Sequence, residues 1–287
     1  MEENRKAGGL DTEHIIATYF HLALPVVVGS IITIIYNLAD TYFIAQTNNA
    51  KLVAGVSVCS PLFMILMAFG NIFGQGGSSL ISRLLGKKET DAVGRVSAFC
   101  FWMALITGAA VGGLMFLFRD PLLKLLGASA DTLPYAREYG TVLMLGGPLI
   151  VVNFIHMNLL RCEGMSGLSM AGTALGSIVN VILDPLMIPS MSAAGAAAAT
   201  VIGYLCSDLF LLVIVLTKSK VLSVRPVFRI EGKQTGNIIA IGITAAITNL
   251  ASSLFLSRET GISGNFVGRI KGAKCPFDLQ FLTWDFS

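Results

Sequence analysis

Two stretches, IIYNLADTYFIAQ (34–46) and GSIVNVILDPLMI (176–188), are apolar enough to cross a bilayer, yet each carries one aspartate in its interior, Asp40 and Asp184. A carboxylate at membrane depth costs roughly 2.5 kcal/mol or more unless it is protonated, paired or ion-bound, so such residues mark ion or proton pathways. The surrounding chain has the same character. Hydrophobic residues make up 54% of the 287 positions and charged residues 13%, with mean hydropathy +0.74; an ordinary soluble domain has roughly 25% charged residues. The fold class is therefore all-α, a polytopic bundle of membrane helices.

A bilayer core about 30 Å thick needs roughly 20 helical residues. Continuous apolar runs lie at 24–46, 52–80, 96–118, 138–160, 170–189 and 194–217, and a seventh starts near 236. They do not alternate in polarity, which excludes a β-barrel. Pro25, Pro61 and Pro148 fall inside three of these runs and predict kinks. The N-terminus, residues 1–23, has no short apolar core with a small-residue cleavage site, so it is expected to stay on the mature chain. Asp11 and Thr12 are candidate caps of a short interfacial helix there.

Lysine and arginine are unequal on the two sides. Twelve of these residues, including Arg83, Lys87, Lys88, Arg95, Arg161 and the cluster from Lys218 to Lys233, fall on the side of the N-terminus. Four, Lys51, Arg119, Lys124 and Arg137, fall on the other. This bias predicts a cytoplasmic N-terminus. The net charge of +3 does not point to nucleic acid, because the basic residues sit between spans and form no stripe. Five cysteines without CxxC spacing imply neither a disulfide framework nor a metal centre.

Polar residues form stripes on two spans. Thr33, Tyr36, Asn37 and Asp40 share one helix face, and Thr173, Ser177, Asn180 and Asp184 share another. Asp40 and Asp184 both fall about six residues from the outer ends of their spans, roughly 9 Å deep at 1.5 Å per residue, so they can meet. Asn180, one turn from Asp184, adds a carbonyl oxygen, and Thr200 on the sixth span lies at similar depth. Carboxylate, amide and hydroxyl oxygens suit Na+ or a relayed proton. The bland alternative for Thr33, Thr173 and Ser177 is interhelical hydrogen bonding, and packing is the expected role of Asn71, Gln75 and Ser79. Asp208 approaches the cytoplasmic end, where a Lys or Arg could reach it. His156, close to Asn153 and Asn158, is read as a packed histidine.

These residues lie in segments that resemble the MATE family, the multidrug and toxic compound extrusion transporters. The matching segments are LALPVVVGSIITIIYNLADTYFIAQ (22–46), GQGGSSLISRLLGKKETDA (74–92), LLRCEGMSGLSMAG (159–172), NVILDPLMI (180–188) and GAAAATVIG (195–203), and the similarity covers roughly residues 15 to 250. The resemblance implies a secondary antiporter in which Na+ or H+ entry drives out cationic, amphipathic small molecules, with no other cofactor. It implies that Asp40, Asn180, Asp184 and Thr200 form the cation site of the first lobe. Tyr36, Asn37, Tyr139 and Asn153 are candidate cavity-lining residues.

Family members have two six-helix lobes, whereas this sequence contains one, at 24–217, then a basic loop at 218–235 and the start of a second lobe at 236–256. From 257 to 287 the sequence changes character, with Arg258, Glu259, Arg269, Lys271 and Lys274 interrupting any span. That change predicts a truncated or frame-shifted product with a missing second lobe. The competing readings are a non-transporting fragment and a lipid-linked saccharide flippase, the latter disfavoured because the buried charges are acidic. An enzyme is not expected: no HExxH motif is present and GGSSL has no partnered base.

Overall fold

The computed structural model describes residues 15–227, 230, 232, 234–248 and 251; among them no strand is formed. The helices are α1 (Ile15–Gln46), α2 (Ala50–Val58), α3 (Ser60–Gly86), α4 (Thr90–Leu117), α5 (Arg119–Leu125), α6 (Leu133–Leu145), α7 (Gly147–Cys162) and α8 (Ser166–Thr217), followed by α9 (Gln234–Thr248). The expected caps Asp11 and Thr12, and the tail from 257, lie outside the described residues.

Three boundaries differ from the sequence expectation. α1 is continuous from Ile15, so, among the described residues, 15–23 belong to the same helix as the first span. The second run is two helices: α2 stops at Cys59 and α3 begins at Ser60 with proline in its first turn. The fourth is also broken, at Gly146, where α6 and α7 meet at 53°. Pro61 and Pro148 explain both breaks. Proline lacks an N–H and clashes with the preceding turn, but it is well placed at the first helical positions, so the disturbances at Pro61 and Pro148 are realised as new helix starts, whereas α1 continues through Pro25.

At 52 residues, α8 would extend about 78 Å if straight, more than twice a bilayer core. It is not straight. Ser192 has φ 57° and ψ −134°, a conformation outside the helical region, and there the chain reverses. The halves 166–191 and 193–217 run back along each other, as the Asn180–Thr200 hydrogen bond and the Gly176–Gly203 approach require. A Cβ built on either glycine would lie 2.7 Å from the other's carbonyl oxygen, so this close packing depends on the missing side chains. With α8 counted as two spans, α1, α2–α3, α4 and α6–α7 complete six, and α9 starts a seventh.

The principal core joins Leu62, Leu66 and Ile81 of α3, Val93 and Cys100 of α4, Leu143 of α6, Ile150 and Ile155 of α7, and Leu211 of α8. A smaller cluster unites Ile44 of α1, Leu52 of α2, and Ile188, Ala193 and Ala196 beside the α8 reversal. Large side chains also stand outward, among them Ile31, Ile35, Leu117, Ile182, Leu186 and Val213. On membrane helices such residues face lipid, which solvates them as the protein interior does.

Candidate functional site

α1 lies along α8, and this packing sets the α1 polar stripe against both halves of the hairpin. Asp184 is completely buried, Asn180 and Thr200 nearly so, and Asp40 half-buried with its Oδ1 enclosed. The enclosed Oδ1 of Asp40 and both enclosed oxygens of Asp184 thus lie on two helices that pack against each other.

Thr200 Oγ1 donates to Ala196 O at 3.0 Å and accepts from Asn180 Nδ2 at 3.3 Å. With its Nδ2 so engaged, Asn180 leaves its carbonyl Oδ1 without a donor. The same is true of Asp40 Oδ1 and of both Asp184 oxygens. Four enclosed acceptors thus have no hydrogen-bond partner, and among the described residues neither aspartate has an ion-pair partner. Buried polar atoms are ordinarily paired, and an unpaired acceptor costs about 1–3 kcal/mol, more for a charged group. Protons or a hard cation would satisfy this oxygen set; a second acceptor would not.

Tyr36 shares a cleft lining with Thr200 and Tyr204. Tyr139, from α6, packs against the small cluster that joins α1, α2 and the α8 reversal. A cleft of about 60 Å³ starts at Thr33, Tyr36, Asn180 and Thr200 and continues past Tyr204 to Asn153 and Ser207. Thr173 and Ser177 line it too, while Asn37, expected on this stripe, is not among its lining residues. Thr33 donates to Gly29 O, one turn back on its own helix.

Asp208 departs from expectation. No Lys or Arg pairs with it among the described residues; its Oδ1 accepts from Asn153 Nδ2 at 3.0 Å and lies 3.9 Å from His156 Nδ1. Asn153 also donates to Ser207 Oγ at 2.8 Å. Tyr204 was missed by the sequence reading, although it stands four residues from both Thr200 and Asp208 and hence on their helix face. That register was the available signal.

The arrangement is a buried, acceptor-rich site inside a bundle of membrane helices. The MatE family model matches residues 25–186, more than half of the chain. This chain belongs to the MATE family. It is 31% identical over 244 residues to the multidrug export protein MepA of Staphylococcus haemolyticus, covering 80% of this chain and 54% of that protein. MepA of Staphylococcus aureus strain MSSA476 is 32% identical over 256 residues, covering 86% of this chain and 56% of the relative.

Solved structures agree with the fold. An outward-facing multidrug resistance MATE family transporter of the MOP superfamily superposes with a TM-score of 0.77 at 26% identity, covering 85% of this chain and 55% of that one. A MOP superfamily transporter from Pyrococcus furiosus, described by the reverse polarity of its binding pocket, superposes at 0.79 with 26% identity and the same coverage. The MATE chain thus spans about half the length of the curated relatives it matches, and those relatives are transporters. As a MATE protein it is a multi-pass membrane protein.

Proposed function

We propose that this chain forms one lobe of an efflux antiporter that exports cationic amphipathic compounds in exchange for Na+ or H+, with Asp40, Asn180, Asp184 and Thr200 holding the coupling cation. The observation that carries the reading is the enclosed set of acceptor oxygens on Asp40, Asn180 and Asp184 that lacks donors. The oxygens suit Na+ by hardness, and the paired carboxylates suit a proton. Tyr36 and Asn153 line the adjoining cleft, whereas Tyr139 and Asn37 do not and are not required. The N-terminus is cytoplasmic on this reading, in a bacterial inner membrane.

Coupling follows from electrostatics. With the site empty, two neighbouring carboxylates repel and pay a burial cost, which favours a state in which water reaches them. A bound cation removes the repulsion and most of that cost, so the closed state becomes the stable one. A ligand shifts such an equilibrium only by its differential affinity for the two states. Substrate bound between two lobes requires a second lobe, supplied by further sequence or by another copy.

The cation site lies within the described lobe and is testable without substrate. Binding of radioactive Na+ to the purified chain, together with proton release or uptake in unbuffered solution, should report one exchangeable cation. Loss of both signals in Asp40→Asn and in Asp184→Asn supports the assignment. Retention of wild-type binding in both variants overturns it.

A further inference from the structure

Near the other end of the cleft is a second buried polar group that the coupling site does not use. Asp208 is 6% exposed, His156 3%, Asn153 2% and Ser207 2%. Their partners leave a specific deficit. Asp208 Oδ2 has no donor, and neither His156 ring nitrogen has a hydrogen-bond partner. A neutral imidazole always carries one N–H, so a buried donor without an acceptor stands 3.9 Å from a carboxylate with acceptor capacity to spare. That separation is too long for a hydrogen bond; a side-chain shift of about an ångström would close it.

We propose that Asp208 and His156 share an exchangeable proton and form a second proton-binding site, set behind the Asn153 and Ser207 lining of the cleft. A proton added to the ionised pair bonds to a free imidazole nitrogen, and the imidazolium then faces the Asp208 carboxylate. Its departure restores carboxylate and neutral imidazole, with no other bond changed. Asn153 holds Asp208 Oδ1 in place through either state. Phe101 of α4, with its ring centroid 5.3 Å from that of His156, covers the imidazole.

The groups around the pair leave the proton to it. The first half of α8 faces this region with Gly172 against Leu211 and Gly176 against Ser207, neither titratable. From α3, Phe63 stacks on Tyr204 at 6.0 Å. α7 contributes Asn153 and His156, and Tyr204 is the titratable neighbour of Asp208 on its own helix. No lysine, arginine or second carboxylate interacts with Asp208 among the described residues.

The cleft touches the hydrogen-bonding neighbours of both sites, while Asp40, Asp184, Asp208 and His156 themselves stand behind its lining. It is lined by Asn180 and Thr200 at one end and by Asn153 and Ser207 at the other, with Tyr204 between. Thr200 and Asp208 are eight residues apart on one helix, about 12 Å along its axis. A space of about 60 Å³ admits several waters, each able to pass a proton. Assigning the cleft's proton to coupling rests on the function proposed above, whereas the protonation of the pair does not.

The test is a histidine-selective NMR titration of the full chain in detergent or nanodiscs, with the His156 signal assigned by its absence in His156→Gln and so separated from His14 and His21. A titrating His156 is expected, and in Asp208→Asn, which keeps an oxygen for Asn153, its midpoint should fall by at least tenfold in proton affinity. An unchanged midpoint in Asp208→Asn, or a ring that never titrates between pH 4 and pH 9 (roughly two and a half units either side of free histidine), overturns the proposal. If Asp208→Asn does not fold, the infrared carboxyl band of Asp208 is compared in wild type and His156→Gln; a pH-dependent band altered by the substitution supports the shared proton, and an unaltered one removes it. Asp40→Asn/Asp184→Asn should leave the His156 titration in place while abolishing Na+ or proton binding at the coupling site, which separates failure of one site from failure of the other.

Discussion

Asp184 concentrates the physical problem at the residue scale, because a wholly buried carboxylate with two unpaired oxygens is tolerated in a marginally stable protein only when something fills the site. Ligand that binds only the folded chain should stabilise it by about 2.7 kcal/mol at a concentration of 100 Kd. The thermal midpoint of the purified wild type is therefore expected to rise with Na+ concentration, or with acidification if the cation is H+. Asp184→Asn should make it insensitive to both, read by a fluorescence melt over a salt and pH grid; an equal response in the variant would remove Asp184 from the site. The second variant at this scale is Thr200→Val, which keeps the side chain's shape but removes the acceptor for Asn180 Nδ2. It should weaken cation affinity about tenfold by freeing the Asn180 amide to turn, measured by the same binding assay. The carboxylates and Asn180 were legible in the sequence because charge inside an apolar run is costly wherever it occurs. The partner of Asp208 was not. It depends on which faces of α7 and α8 meet, and a residue 52 positions away in sequence gives no local sign of contact.

The α8 hairpin shows the same division at the scale of the element. Its two spans were legible as apolar runs separated by a short gap, but the reversal itself rests on Ser192 at positive φ, where no glycine marks the turn. L-residues other than glycine pay about 1–3 kcal/mol for such backbone positions. Ser192→Gly should therefore raise the thermal midpoint, and the β-branched Ser192→Val should lower it, by amounts equivalent to about 1 kcal/mol or more in each direction. A null result for both would mean that the turn is not under strain. The paired glycines predict a steeper loss. In Gly203→Val a side chain must enter the space held by the Gly176 carbonyl oxygen, and overpacking costs typically 1–3 kcal/mol. The displaced half of the hairpin carries Thr200, so cation binding and stability should fall together. The breaks at Cys59 and Gly146 were partly legible. Proline announced a disturbance in each run, while the choice between a kinked helix and a restarted one was made by the packing of α2 on α6 and of α7 between α3 and α4.

Across the whole molecule, the segment after α8 is tied to the ends of helices far from it in sequence. Glu163, just past α7, accepts from Ser219 Oγ at 2.6 Å and from Lys220 N at 2.9 Å. Ser97 of α4 accepts from Ser223 N at 2.9 Å, and Trp102 Nε1 donates to Val224 O at 3.1 Å. These bonds fix the direction in which the chain leaves the six-span bundle toward α9, whose Ile238 is fully buried and close to Gly76 of α3. Composition marked residues 218–235 as a basic loop, and basic loops are ordinarily free. Here the binding groups belong to α4 and α7, so the tether could not be read from the loop itself. Hydrogen bonds to a charged group contribute about 1.5–3 kcal/mol each, and 1.4 kcal/mol is a factor of ten in an equilibrium. Removing both Glu163 bonds in Glu163→Ala should expose the segment by local opening at least tenfold more often, provided that opening is fast relative to cleavage. Limited trypsin digestion of the detergent-solubilised chain measures this directly, because Lys218 and Lys220 are already exposed at the surface and only the tethered backbone resists the protease. Cleavage there should accelerate in Glu163→Ala while the melt of the helical bundle stays near that of wild type. Equal cleavage rates would show that the Ser97 and Trp102 contacts hold the segment without Glu163, and Trp102→Ala combined with Glu163→Ala should then release it.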